Sequence, residues 1–152
     1  EFSDLRQLSY TMQVINESMR LYPPAWITDR MTLGDDEVAG WKIPKGTLVT
    51  PFIYGVHHNE KIWEKVEEFN PDRFTRSAQR ERSNFAYFPF GGGPRLCIGN
   101  NFALMEMQLI LVHLISRYNF QVAENQVIEQ QPLVTLRPRN GILLNVKRAH
   151  KS

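Results

Sequence analysis

The chain has 152 residues, 42% of them hydrophobic and 22% charged, with a formal net charge of +2. That is long enough for one domain with its own core, and a near-neutral balance without a long Lys/Arg run excludes a dedicated nucleic-acid binder. No apolar stretch reaches the roughly 18 residues that span a bilayer, no secretory signal is present, and a single cysteine excludes an intramolecular disulfide framework. The chain opens on Glu1 rather than Met and enters a helical pattern almost at once, so it is expected to be part of a longer protein. A cytoplasmic location is expected, with a membrane anchor upstream left open.

Leu5, Leu8, Met12, Ile15 and Met19 recur at spacings of three and four, which predicts an amphipathic helix with Ser3 or Asp4 as its N-cap and Pro23-Pro24 as its stop. Short strands are predicted over Ala25–Met31, Glu37–Ile43 and Leu48–Phe52, punctuated by Gly34-Asp35-Asp36, Gly40 and Pro44-Lys45-Gly46, as one small antiparallel sheet. From about His57 to Phe88 the period weakens, and the polar run Thr75–Asn84 reads as irregular surface chain. A glycine-rich stretch, Phe88 to Gly99, leads into a second helix over about Asn101–Tyr118, apolar on most sides and expected to be buried in a larger body. Phe120–Val122, Leu133–Leu136 and Ile142–Val146 read as terminal β-hairpins. The class is α+β in a single unit over residues 1–152.

The glycine-rich stretch fits no phosphate loop: a dinucleotide fingerprint needs glycine at position 96, which is Leu, and no Gly-Lys-Ser/Thr follows. Zinc lacks a ligand set, since Cys97 stands alone and His57-His58 lies far from it. A lone Cys beside a glycine turn can be an inert buried thiol, but a loop holding one thiolate against a flat cofactor fits these residues better. Glycines permit a tight turn and close backbone approach. The following helix N-terminus offers free amides and a favourable dipole to an anionic sulfur, and neighbouring N–H groups can hydrogen-bond it. Phe90 can shield the sulfur, and Arg95 can reach a carboxylate on the cofactor's rim. On the first helix, Glu17 and Arg20 share a face; alone they amount to a surface ion pair worth under about 1 kcal/mol.

Phe90-x-x-Gly93-x-Arg95-x-Cys97-x-Gly99 resembles, at every fixed position, the cysteine-ligand loop of the cytochrome P450 superfamily. Glu17-x-x-Arg20 and Pro71-Asp72-Arg73-Phe74 resemble the paired motifs that the family locks into a buried triad. The resemblance implies a predominantly helical parent fold, of which this chain is the C-terminal third, with the N-terminal two-thirds absent. It implies haem b as cofactor, with Cys97 as the catalytic thiolate and ligand of the iron. Gly93, Gly99 and Ala103 would let the loop and the next helix approach the ring, and Arg30, His57 and Arg95 would surround its propionates. In the triad, one carboxylate between Arg20 and Arg73 would accept bidentate hydrogen bonds from both guanidiniums and hold the cysteine loop in register. Ala25, Trp26, Ile27, Leu133, Val134 and Thr135 resemble substrate-contacting stretches of the family, and the apolar character of all but Thr135 suits a lipophilic substrate, though ordinary core packing accounts for it equally well.

The activity so implied is an oxidoreductase, a haem-thiolate monooxygenase that inserts one oxygen atom from O2 into a lipophilic substrate, with electrons from a reductase or ferredoxin. The alternatives are a peroxide-using haem-thiolate enzyme and a non-catalytic haem-binding fragment. No residue here can be nominated as a proton-relay acid, so the isolated chain is expected to be inactive. Phe88 to Leu111 and Pro71 to Phe74 look most like members that hydroxylate fatty-acid-like chains, an analogy at the level of the fold.

Overall fold

A computed structural model describes residues 2–149. Helix α1 spans Ser9–Leu21 and turns Ile15, Met19 and Leu21 into the core, as the three-and-four spacing requires. It begins later than the sequence predicts. Phe2–Gln7 winds as a 3-10 turn ahead of it, and Leu8 at the N-cap makes no side-chain cap bond. Asp4 therefore lies within that turn, and the Ser3 side chain lies outside the described residues. The helix stops as expected, with Pro23 buried just beyond it.

The expected single sheet is instead two separate two-stranded antiparallel ladders. Strand β1 (Arg30–Met31) pairs with β4 (Leu48–Val49), and β2 (Asp36–Val38) pairs with β3 (Trp41–Ile43). The run read as one strand, Glu37–Ile43, is in fact a hairpin. Ala39 and Gly40 both adopt positive φ (50 and 85), the geometry of a two-residue turn that matches strand twist.

A short helix α2 (Ile53–His57) leads into the irregular segment. That segment is more ordered than its polar composition suggests. Pro71–Phe74 forms a 3-10 turn capped by Asn70, and Thr75 caps helix α3 (Arg76–Glu81) through its hydroxyl. Here a capping threonine outweighs the missing apolar period. The core lies beneath: Trp63, Val66 and Phe74 cluster, with Tyr87 packed on them.

Helix α4 (Asn100–Ile115) is the apolar helix. It packs against α1, yet Gln108 is its only buried residue among those described, because apolar side chains point all round while α1 covers one side. Chain 118 onward forms two ladders. Strand β5 (Tyr118–Val122) pairs with β8 (Leu144–Arg148), enclosing the hairpin of β6 (Gln130–Pro132) and β7 (Leu136–Pro138). The predicted strand Leu133–Leu136 is mostly the turn of that hairpin, with Leu136 alone in a strand.

Candidate functional site

The cysteine loop is fixed by its own backbone. Gly91 N–H donates to Phe88 O at 2.9 Å, Leu96 N–H to Gly93 O at 3.1 Å, and Cys97 N–H to Phe90 O at 3.0 Å. Gly91 and Gly93 have φ of 76 and 65, a conformation L side chains rarely adopt. Gly99 differs: its φ is −86, and an added Cβ would sit 3.8 Å from the Cys97 sulfur, an ordinary contact. Pro94 opens the 3-10 turn Gly93–Arg95, and α4 then starts at Asn100, whose N–H donates to Cys97 O at 3.3 Å.

Cys97 is exposed and free, and among the described residues its sulfur receives no hydrogen bond, contrary to the amide contacts expected from the sequence. Exposed Leu96, Ile98 and Phe102 surround it in sequence. An unpaired soft donor amid exposed apolar side chains suits a flat hydrophobic group carrying a thiophilic metal ion. No group of three His, Cys, Asp or Glu that could hold a bare metal ion occurs among the described residues. The residues present thus fit a haem better than a protein-only metal centre.

Phe90 is half-buried and Ala103 lies half-buried in the first turn of α4. Arg95 is exposed, with no partner for its guanidinium among the described residues. Arg30 is exposed on β1, and its Nη1 donates to Thr28 Oγ1 at 3.0 Å and Asp29 O at 2.7 Å. His57 does not join them. Its side chain is fully buried, its Nε2 accepts the Phe88 N–H at 3.1 Å, and burial and then His58 lower its pKa to about 4. A ring with no exposure cannot meet a propionate, so that expectation is corrected.

The Glu17 site is built as a triad, with one change. Glu17 and Arg20 are both completely buried, and Arg20 is bidentate, Nε to Oε2 at 2.8 Å and Nη2 to Oε1 at 2.9 Å. Arg20 also donates to the carbonyls of His57 (3.0 Å) and Val66 (2.8 Å), and Asn70 N–H donates to Glu17 Oε1 at 3.0 Å. Arg73 is not bidentate. Its Nε lies 3.4 Å from Oε1 without hydrogen-bond geometry, and its Nη2 goes to Lys65 O at 2.9 Å.

Sequence reasoning missed Arg82, whose guanidinium lies 4.1 Å from the Trp63 ring centre and 5.0 Å from that of Phe74, and which donates to Arg73 O. Burial holds its pKa below the ordinary arginine value. An Arg in a polar run gives no hint of an aromatic partner from distant chain.

The two apolar stretches meet. Trp26 Nε1 donates to Leu133 O at 2.8 Å, and Leu136 N–H donates to Pro24 O at 2.9 Å. Trp26 also lines a cleft of about 210 Å³ with Phe52, Tyr54, Gln130, Pro132 and Leu136. Ala25, Val134 and Thr135 are exposed, and Ile27 is half-buried.

The sequence profile of the cytochrome P450 family matches residues 1–146. Thromboxane-A synthase of Sus scrofa is 38% identical over 149 residues, 96% of this chain and 28% of its own length. Cytochrome P450 3A18 of Rattus norvegicus is 40% identical over 95% of this chain and 30% of its own length. The ultra-long-chain fatty acid omega-hydroxylase of Homo sapiens is 37% identical over 97% and 28%. The crystal structure of the cytochrome P450DA heme domain superposes with a TM-score of 0.92 at 26% identity, covering 99% of this chain and 33% of that one. The chain therefore spans under a third of the curated relatives it matches.

Proposed function

Because this chain belongs to the cytochrome P450 family, whose members bind protoporphyrin IX haem iron, we propose that it carries the thiolate side of a haem-thiolate monooxygenase. On this reading residues 1–152 form the C-terminal portion of the haem domain. The observation that carries it is the free, exposed Cys97 on a glycine-turned loop at the root of α4, in a chain matching the family over residues 1–146. When bound, the haem supplies oxygen activation, with one oxygen atom of O2 passing to a lipophilic substrate.

The chain's own residues do the rest. Cys97 would supply an anionic sulfur to the iron, Phe90 would limit water at that sulfur, and Gly93 gives the loop its turn. Gly99 and Ala103 keep the start of α4 slim, which would let the bound group approach it. Arg95 and Arg30 would offer guanidinium donors to the propionates: Arg95 is exposed, and Arg30, with Nη1 turned to Thr28 and Asp29, has its other nitrogens to give. Glu17, Arg20 and Arg73 support the loop from below and touch no reacting atom. Trp26 and Ile27, with Leu133 behind the indole hydrogen bond, form an apolar wall for substrate, to which Ala25, Val134 and Thr135 add exposed edges. A reductase or ferredoxin would supply the electrons.

The test is the absorption spectrum of the reduced, carbon-monoxide-bound full-length protein. A thiolate-type Soret band is expected, and Cys97→Ser should abolish it. A wild-type band like that of imidazole-ligated haem, or a thiolate-type band kept by Cys97→Ser, would defeat the assignment.

A further inference from the structure

His57 touches both the buried charge pair and the first residue of the cysteine loop. Its backbone carbonyl accepts from Arg20 Nη1 at 3.0 Å. Its ring accepts the Phe88 N–H at Nε2, at 3.1 Å. Phe88 is where the loop begins: its own carbonyl accepts the Gly91 N–H, and two residues on, Phe90 O accepts the Cys97 N–H. One residue thus spans the gap between the α1 charge pair and the backbone that sets Cys97.

Because Nε2 accepts, a neutral ring must carry its proton on Nδ1, and that atom is buried with no hydrogen-bond partner among the described residues. Buried polar atoms are ordinarily satisfied. A buried ring that commits its one acceptor to a loop amide is placed to hold that amide. Aromatic neighbours keep it there: Tyr87 stacks at 5.1 Å between ring centres, and Phe88 meets it edge-on at 5.7 Å. The titratable groups about it are Arg20 with its partner Glu17 on α1, His58 on its own helix, and Tyr87 from the chain before the loop. Burial, then His58, then Arg20 oppose a second proton, while the Met19 and Arg20 carbonyls favour one; the balance leaves the ring neutral down to about pH 4.

We propose that His57 is a positioning residue for the Cys97 loop: its neutral ring fixes the Phe88 amide, and its carbonyl ties that point to the Glu17–Arg20 pair. Protonation would turn the acceptor into a donor facing another donor, and the loop would lose its anchor. The spectroscopic part of this inference rests on Cys97 as haem ligand; the backbone part does not.

The experiment measures amide hydrogen exchange and the reduced carbon-monoxide spectrum on the full-length haem-loaded protein. In His57→Leu, protection at Phe88, Gly91 and Cys97 should fall at least about tenfold while α1 amides keep theirs, with the thiolate-type band diminished. His57→Gln, which retains an acceptor, should restore both. Acidification toward pH 4 should convert the band in the wild type and leave it in place in His57→Gln. Unchanged loop protection in His57→Leu overturns the proposal, as does an identical acid response in His57→Gln. If His57→Leu fails to fold, His57→Gln decides alone: retained protection supports the proposal and lost protection overturns it. A wild type without a thiolate-type band removes the Cys97 assignment, and the exchange result then judges His57 by itself.

Discussion

Glu17 has two oxygens and four nitrogen neighbours: two from Arg20, the Asn70 amide and the Arg73 Nε. It is a completely buried carboxylate among guanidiniums, so its removal strands Arg20 without an anion. Glu17→Gln should destabilise the protein by about 3–5 kcal/mol in urea unfolding. Arg73→Lys should cost about 1 kcal/mol, because Arg73 meets Glu17 only at 3.4 Å, a lysine keeps a cation there, and what goes is chiefly the Nη2 bond to Lys65 O. Equal losses would show that Arg73 matters as much as the whole carboxylate, against the geometry. The Glu17–Arg20 pair was legible because spacing alone puts both on one face. Its burial was not, since that depends on Val66, Asn70 and Trp63 arriving from elsewhere. His57 shows the opposite failure: expected at the propionates, it is sealed in by chain that sequence cannot bring to it. Its pKa falls from 6.5 to about 4 on folding, so the unfolded chain binds the extra proton first. Stability is therefore full above about pH 6.5 and declines as pH falls to about 4, by on the order of 3 kcal/mol. Urea midpoints across that range should slope for the wild type and flatten for His57→Gln; equal slopes would exclude His57 as the source.

At the scale of elements, conformation separates glycines that sequence treats alike. Gly93 sits at φ 65 and Gly99 at −86 with room for a Cβ. Gly93→Ala should cost about 1–2 kcal/mol and loosen the loop, while Gly99→Ala should leave thermal stability within about 0.5 kcal/mol. Thermal unfolding of the two variants reads this directly, and a larger loss at Gly99 would contradict it. The hairpin of β6 and β7 hangs on a different device, the Trp26 indole bonded to Leu133 O beside the Leu136 amide on Pro24. Trp26→Phe keeps the ring but deletes the donor. It should cost about 1 kcal/mol and raise exchange at the Leu136 amide, with α1 unaffected. Helices α1 and α4 were readable because their apolar residues carry a period or a density that only a helix buries. The strands were less so. Two-residue ladders such as β1–β4 have too few residues to show alternation, and β5–β8 joins segments whose pairing is a matter of tertiary closure.

The whole molecule presents a surface of 11881 Å² for a mass of 17.7 kDa. A folded monomer of that mass presents about 7,900 Å². Much of the excess is apolar: Phe102, Ile110 and Ile115 on α4 are each more than half exposed, and Val122 and Val146 on β5 and β8 are about half exposed. Hydrophobic area on this scale is not stable against water and seeks cover. The apolar density of α4 was legible from composition, and so was the need for a covering body; which side α1 would take was not. The 152-residue chain expressed alone should therefore bind a hydrophobic dye strongly and elute as associated species at micromolar concentration. Phe102→Asp with Ile110→Glu should reduce both signals, because each charge interrupts the α4 patch without touching the buried Gln108, whose Nε2 donates to Leu5 O and Leu8 O. A monomeric, dye-silent chain would mean that α4 finds its cover within these 152 residues, against the exposure of Phe102, Ile110 and Ile115.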